Sequence, residues 1–171
     1  MTVKSKVFAA AFASVMLVAG SASAQAVVSP APSDYKLVGD LALHQTAGAT
    51  CKARFDVHIN SDGRTGQVTA GTFDYTLGGC GWLIYPRTTP WNVEFKPISS
   101  TQSQIEIDIN DVFALAGTCV GKLTGTFDEG SQTVDFALAS VVGSSPVCTV
   151  DGVMDVTPDT AKGTTAPLQV L

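Results

Sequence analysis

Acidic side chains give this sequence its clearest candidates for acid–base chemistry. Glu106 and Asp108 stand two residues apart in an alternating apolar–polar run, and Asp111 follows shortly after them. Side chains two apart on a strand share one face, so the two carboxylates could act as the acid and base of a glycoside hydrolase or bind calcium. A solvated strand face explains the same pattern without chemistry. We therefore expect no catalytic residue here.

The remaining chemistry-bearing residues lack the partners that a catalytic or metal site needs. His58 occupies a polar position in a strand-like alternation, and His44 ends an earlier apolar run. No Gly-x-Ser-x-Gly motif and no phosphate-binding glycine loop occur. The oxygen-rich segment that ends in Asp62-Gly63 has turn chemistry but lacks the spacing of a hand-type calcium loop. The sequence predicts no enzyme, no metal site and no cofactor.

The four cysteines are spaced as a disulfide framework. Cys51, Cys80, Cys119 and Cys148 are separated by 29, 39 and 29 residues. Three pairings are possible in principle, and the two equal spacings favour Cys51–Cys80 and Cys119–Cys148. Each bridge would then stabilise the fold by about 3.6 kcal/mol through the entropy of the unfolded chain. A metal or redox site normally keeps its cysteines close together, and no Cys-x-x-Cys pair is present.

Aromatic residues concentrate in one short stretch, residues 80–91. It contains both tryptophans, Trp82 and Trp91, together with Tyr85 and two prolines. These three side chains could form an exposed contact surface for a carbohydrate, a lipid or another protomer. The alternative, which we favour, packs the tryptophans in the core on either side of a proline-pinned loop.

The N-terminal residues have the organisation of a secretory signal peptide. Lys4 and Lys6 precede an apolar run over residues 7–20, and Ala22-Ser23-Ala24 provides a small-x-small cleavage pattern. The run is shorter than the roughly 20 apolar residues that span a bilayer. We expect cleavage after residue 24 and export to the extracellular space or cell surface, with the periplasm as the alternative. The mature chain would have no transmembrane segment.

Length and charge of the expected mature chain exclude further classes. Without residues 1–24 and their two lysines, 147 residues with a net charge of −7 remain. An acidic chain of this kind does not bind nucleic acid through a basic surface. Its length suits one domain.

Alternation of period two runs through this domain. It occurs in the segments that contain Phe55, Val57 and Ile59; Phe73, Tyr75 and Leu77; Trp91, Val93 and Phe95; Ile105, Ile107 and Ile109; and Val134, Phe136 and Leu138. Such alternation is typical of half-buried antiparallel strands, and glycine-rich turns separate the runs. We predict a disulfide-stapled, all-β, antiparallel β-sandwich of about nine strands over residues 35–156. A flexible leader (25–34) and a loose C-terminal tail (157–171) would flank it.

Short cysteine-anchored motifs resemble a known family. They are Cys51-Lys52-Ala53-Arg54-Phe55, the strand over residues 66–73, Pro90-Trp91-Asn92-Val93, Cys119-Val120-Gly121 and the final Cys148. Together they resemble the small secreted bacterial activators of alkane oxidation (PraB-like). The resemblance implies a non-enzymatic exported factor linked to growth on alkanes, surface attachment and biofilm formation, and it brings no catalytic residues.

The first functional hypothesis is therefore a secreted or surface-associated protein that acts by contact, in adhesion or biofilm matrix or with hydrophobic substrates such as alkanes. Its partners would be itself, other surface or matrix components, or the substrate. The second hypothesis is a pilin-like subunit that donates the leader, residues 25–34, to a neighbour. The third is a secreted hydrolase that uses Glu106, Asp108 and Asp111.

Overall fold

The computed structural model describes residues 27–74, 80–81, 83–114 and 117–171, so the predicted signal peptide lies outside the described residues. The described elements are, in chain order, β1 (Val28–Ser29), β2 (Ser33–His44), β3 (Gly48–Ile59), β4 (Thr65–Asp74), β5 (Tyr85–Pro86), β6 (Trp91–Pro97), β7 (Gln102–Ala114), β8 (Gly117–Asp128), β9 (Thr133–Val141), β10 (Cys148–Pro158), a 3₁₀ turn (Thr160–Lys162) and β11 (Gln169–Val170). The expectation of an all-β chain is confirmed.

The main sheet closes on itself, which corrects the predicted sandwich. Strands β2, β3, β4, β6, β7, β8, β9 and β10 each pair antiparallel with their neighbours in sequence, and β10 returns to pair with β2. The result is an eight-stranded up-and-down barrel rather than two packed sheets. Alternation could not distinguish these folds, because each gives every strand one buried and one exposed face. Pairing of β2 over almost its whole length with both β3 and β10 leaves no edge there.

Two glycines allow the closing strands to approach each other. A Cβ atom on Gly39 would lie 2.2 Å from the carbonyl oxygen of Val153. On the facing strand, Gly152 has a φ of +139°, and a Cβ there would lie 2.4 Å from the carbonyl oxygen of Asp40. The β2–β10 seam therefore requires glycine on both of its strands.

Apolar side chains fill the barrel. The largest fully buried ones are Trp91, Tyr35, Phe127, Phe136, Ile59 and Met154. Two apolar voids remain inside, of about 20 Å³ and 30 Å³. An eight-stranded barrel is just wide enough for its side chains to fill or to hold one small ligand, and this one is nearly filled.

The two ends of the barrel differ. We call the end that carries the turns at residues 60–64, 98–101 and 129–132 the capped end, because β1 and β11 lie across it. Val28 pairs with Val170 and also donates its N–H to the Gly63 carbonyl. Gln132 holds the same segment by donating to, and accepting from, the backbone of Leu168. The sequence indicated a flexible leader and a loose tail. In the structure, Val28–Ser29 of the leader pairs with Gln169–Val170 of the tail. Strands of two residues are too short to show a periodic pattern in the sequence.

Two carboxylates stabilise the capped end through hydrogen bonds. Asp62 accepts the backbone N–H groups of Arg64 and Thr65 in the β3–β4 turn, and these bonds lower the pKa of its carboxyl group. Asp159 lies after β10 and is 4 % exposed. Its pKa is lowered chiefly by the hydrogen bond from the Lys36 ammonium at 3.1 Å.

These lowered pKa values predict acid sensitivity. A carboxylate with a depressed folded-state pKa stabilises the fold above its unfolded pKa of about 4, and loses that contribution as pH falls through the folded value. We expect the melting temperature to fall between about pH 4 and pH 2. The Asp62→Asn variant should have a lower melting temperature than wild type at pH 7, and its melting temperature should decrease less as the pH is lowered. Asp155→Asn, on the exposed face of β10, is the control. A fall of equal depth in wild type and Asp62→Asn would contradict this assignment.

Candidate contact surface

Two disulfides staple the end opposite the cap, which we call the disulfide end. Cys51 pairs with Cys80 and Cys119 with Cys148, with Cα–Cα distances of 5.7 and 5.9 Å. This is the pairing that the equal spacing favoured. The second bridge joins β8 to β10 across the intervening strand β9. It thereby fixes the surface formed by these three strands.

That surface carries most of the exposed aliphatic side chains in the described part of the chain. Of the seven large hydrophobic side chains that are exposed there, five lie on β8–β10 or beside them. We call these five the apolar face: Val120, Leu138, Val142, Val147 and Val153. Val142 and Leu138 are the most exposed of the five, at 71 % and 69 %.

Four of the five residues of the apolar face lie in uncharged sequence, whereas Val153 lies between Asp151 and Asp155. Residues 136–150 and 112–121 contain no Asp, Glu, Lys or Arg, although the expected mature chain carries a net charge of −7. Burying a charged group against an apolar phase is costly. Residues 136–150 can therefore approach an apolar surface without desolvating charges of their own, while Asp151 and Lys122 lie beside Leu138 and Val142.

An interruption in the sheet brings Leu138 outward. The β8–β9 ladder runs regularly as far as Thr126↔Asp135 and resumes only at the single bridge Lys122↔Val142. Between these points residues 136–141 of β9 face residues 123–125 of β8, so β9 has extra chain that must bulge. Alternation predicted that Leu138 would be buried with Val134. The bulge reverses its direction.

The backbone at Leu138 is strained. Its φ of +49° lies in the left-handed region that only glycine and a few polar residues adopt readily. The Asp151 carboxylate accepts the Leu138 N–H at 3.0 Å and stabilises this conformation. Strained residues persist where the surrounding structure holds them, and they concentrate at functional sites.

A serine holds the neighbouring β9–β10 connection in place. The Ser144 Oγ atom accepts the N–H of Val120 and donates to its carbonyl, both at 3.0 Å. The connection thus lies against β8, with Val142 and Val147 at its two ends. The same two hydrogen bonds position Val120, and its neighbour Cys119 is held by the disulfide to Cys148.

The three aromatic residues proposed from sequence do not form one described surface. Trp82 lies outside the described residues. Trp91 is only 2 % exposed, and its indole N–H donates to the backbone carbonyl of Thr88. Tyr85 is half-buried and stacks on Phe113, with ring centroids 5.1 Å apart. Trp91 thus takes the core position that we favoured.

The acidic residues considered for catalysis are in ion pairs. Glu106 lies between Lys122 and Lys96, and the hydrogen bond from Lys122 is the chief cause that lowers the pKa of its carboxyl group. Asp108 lies 3.8 Å from Lys122, and Asp111 pairs with a different cation. A glycosidase acid needs a raised pKa, which is opposite to the environment of Glu106.

The oxygen-rich turn at Asp62-Gly63 and the side chain of His58 are also accounted for by ordinary contacts. Asp62 uses both carboxylate oxygens within its own turn. His58 lies 3.2 Å from the Asp34 carboxylate, with its ring partly exposed. Across the described ranges, no group of three or more His, Cys, Asp or Glu side chains could hold a metal ion.

Sequence reasoning missed the apolar face, although one signal was present. Fifteen consecutive uncharged residues, 136–150, stand out in so acidic a chain. Their valines and leucine read as core residues because hydrophobic side chains are buried more often than not.

Fold and surface together define a disulfide-stapled, closed eight-stranded barrel protein with an exposed aliphatic face on and beside β8–β10. Its two disulfides are typical of proteins that mature in an oxidising, exported environment. The chain belongs to the alkane oxidation protein activator PraA/PraB-like family, whose model matches residues 1–161. No curated protein and no solved structure matches the chain. Within the described residues, no helix has the length and apolar character needed to cross a membrane.

Proposed function

We propose that this protein is a non-enzymatic, exported contact protein that associates with hydrocarbon surfaces through the apolar face. The observation that carries the proposal is the concentration of five exposed aliphatic side chains on and beside β8–β10, four of them in uncharged sequence. The family description, which concerns alkane oxidation, supports hydrocarbon as the partner. The ion-paired Glu106 supports a role without catalysis.

The apolar face is large enough for reversible adsorption. Full burial of one Val or Leu side chain contributes about 1.5–3 kcal/mol. Since the five residues are 41–71 % exposed, full contact of their exposed area with hydrocarbon would contribute roughly 4–8 kcal/mol. Part of this free energy offsets the translational and rotational freedom that the protein loses on adsorption, so the dissociation constant is expected to be no tighter than about micromolar.

Adsorption to hexadecane droplets tests the proposal. We expect the triple variant Leu138→Ser, Val142→Ser, Val147→Ser to adsorb at least tenfold more weakly than wild type, because about 1 kcal/mol or more is lost at each position. The matched control is Ile98→Ser, whose side chain is 53 % exposed in the β6–β7 turn at the capped end. Equal adsorption of all three proteins, measured by pendant-drop tensiometry, would refute the role of the apolar face.

A single variant separates contact from folding. Leu138→Gly removes the exposed side chain and also relieves the left-handed strain. We expect unchanged or raised thermal stability together with weaker adsorption. Parallel loss of stability and adsorption would show instead that Leu138 acts only through the fold.

Strand donation is less well supported. The described part of the leader already pairs in its own chain, with Val28 opposite Val170. Donation to a neighbour would require this pairing to exchange.

A further inference from the structure

The barrel wall has a lateral cleft between β4 and β5. Strand β6 pairs only with Thr65–Val68 of β4, and β5 pairs with β7 instead of β4. Within the described ranges, no backbone ladder therefore joins the second half of β4 to β5. The cleft at this place has a volume of about 380 Å³ and is lined by Gly71, Thr72, Phe73, Asp74, Gly81, Tyr85 and Pro86.

Phe73 separates this cleft from the barrel interior. Its side chain lines both the cleft and the larger inner void of about 30 Å³. The ring packs edge-on against Phe55 at 5.7 Å, and Phe55 in turn packs against Trp91 at 5.8 Å. Among the described residues, Phe73 is the one that lines both the void and the cleft.

The interior beyond Phe73 is suited to a chain without polar groups. The larger void is lined by apolar side chains, and its opposite wall includes Cys119 and Val141. These two residues immediately precede Val120 and Val142 of the apolar face. Ile107 lines this void and also the smaller one, which extends to the capped end. The two voids are thus adjacent along the barrel.

We propose that the barrel binds one saturated hydrocarbon chain, which enters through the lateral cleft when Phe73 turns outward. As the side chains stand, the voids are too small for a chain. The cleft has room for the Phe73 ring, and movement of the ring into it would join cleft and voids into one site with an apolar interior. Inside the larger void, a ligand with hydrogen-bonding or charged groups would find no polar side chain to pair with. The proposal rests on the proposed function, since it names an internal site for the same substrate class.

Quenching of Trp91 fluorescence by monomeric 1-bromodecane tests this site, because Trp91 lines the larger void. The experiment uses a Trp82→Phe background, in which Trp91 is the single tryptophan. We expect saturable quenching, reached at least tenfold faster in Phe73→Ala than in the background protein. Phe95→Ala is the matched control, because it removes a buried ring that lines the other void and not the cleft. Phe73→Leu replaces Phe73→Ala if the latter does not fold.

Two outcomes would overturn the proposal: no saturable quenching in any folded variant, or equal acceleration by Phe73→Ala and Phe95→Ala. Its failure is distinguishable from that of the proposed function, since monomeric 1-bromodecane requires no droplet surface. If no quenching is seen while the protein still adsorbs to droplets, the internal site is refuted and the proposed function is not. A wild-type protein that does not adsorb to droplets removes the proposed function.

Discussion

Replacing both Cys119 and Cys148 by serine is expected to lower the free energy of unfolding by about 3.6 kcal/mol and to weaken adsorption to hydrocarbon. The energy follows from the entropy that a bridge across 29 residues removes from the unfolded chain. Adsorption should also fall, because this disulfide ties β8 to β10 where the β8–β9 ladder is interrupted. Without it, the residues of the apolar face would no longer be held in one surface.

The other disulfide provides a matched control. Cys51 and Cys80 are also separated by 29 residues, so the entropic contribution of their bridge is the same. Urea titration should therefore give similar losses of stability for the two double serine variants. Droplet adsorption per folded molecule should fall only when Cys119 and Cys148 are replaced. Equal losses of adsorption in the two double serine variants would contradict the expectation that the Cys119–Cys148 bridge in particular holds the apolar face in place.

Trp91→Ala is expected to destabilise the fold by about 3–5 kcal/mol, the range for a large buried aromatic side chain. Trp91 is 2 % exposed, packs against Phe55 and satisfies its indole N–H at Thr88. Adsorption per folded molecule should not change, because the side chain does not reach the surface. Chemical denaturation followed by circular dichroism measures the first quantity, and tensiometry measures the second.

Tyr85→Ala is the control for this variant. Tyr85 is half-buried and stacks on Phe113. Its replacement should lower the free energy of unfolding by about 1 kcal/mol for the lost stacking, in addition to the contribution of the apolar area that the ring buries. A Trp91→Ala protein of wild-type stability and reduced adsorption would restore the alternative in which the aromatic stretch forms a contact surface.

Alternation predicted most strands because it depends only on which face of a strand is buried. The run with Phe55, Val57 and Ile59 lies within β3 as expected, with all three side chains buried. Closure of the barrel could not be predicted in this way. It depends on pairing between β2 and β10, which are far apart in sequence, and on close approach at Gly39 and Gly152.

The candidate surface was harder to predict than the fold. Leu138 continues the alternation of Val134 and Phe136, yet the extra residues of β9 turn its side chain outward to 69 % exposure. A bulge of this kind is set by the register between two strands, and one strand's own sequence does not specify it. The absence of charge over residues 136–150 was visible in the sequence, but its meaning required the three-dimensional placement of those residues.

Amide hydrogen exchange in the presence of hexadecane nanodroplets tests the central claim most directly. Contact through the apolar face should slow exchange at residues 137–147 and leave the β6–β7 turn, residues 98–101, unchanged. Slowing at the capped end alone, or no slowing anywhere while the protein is adsorbed, would contradict hydrocarbon association through the apolar face.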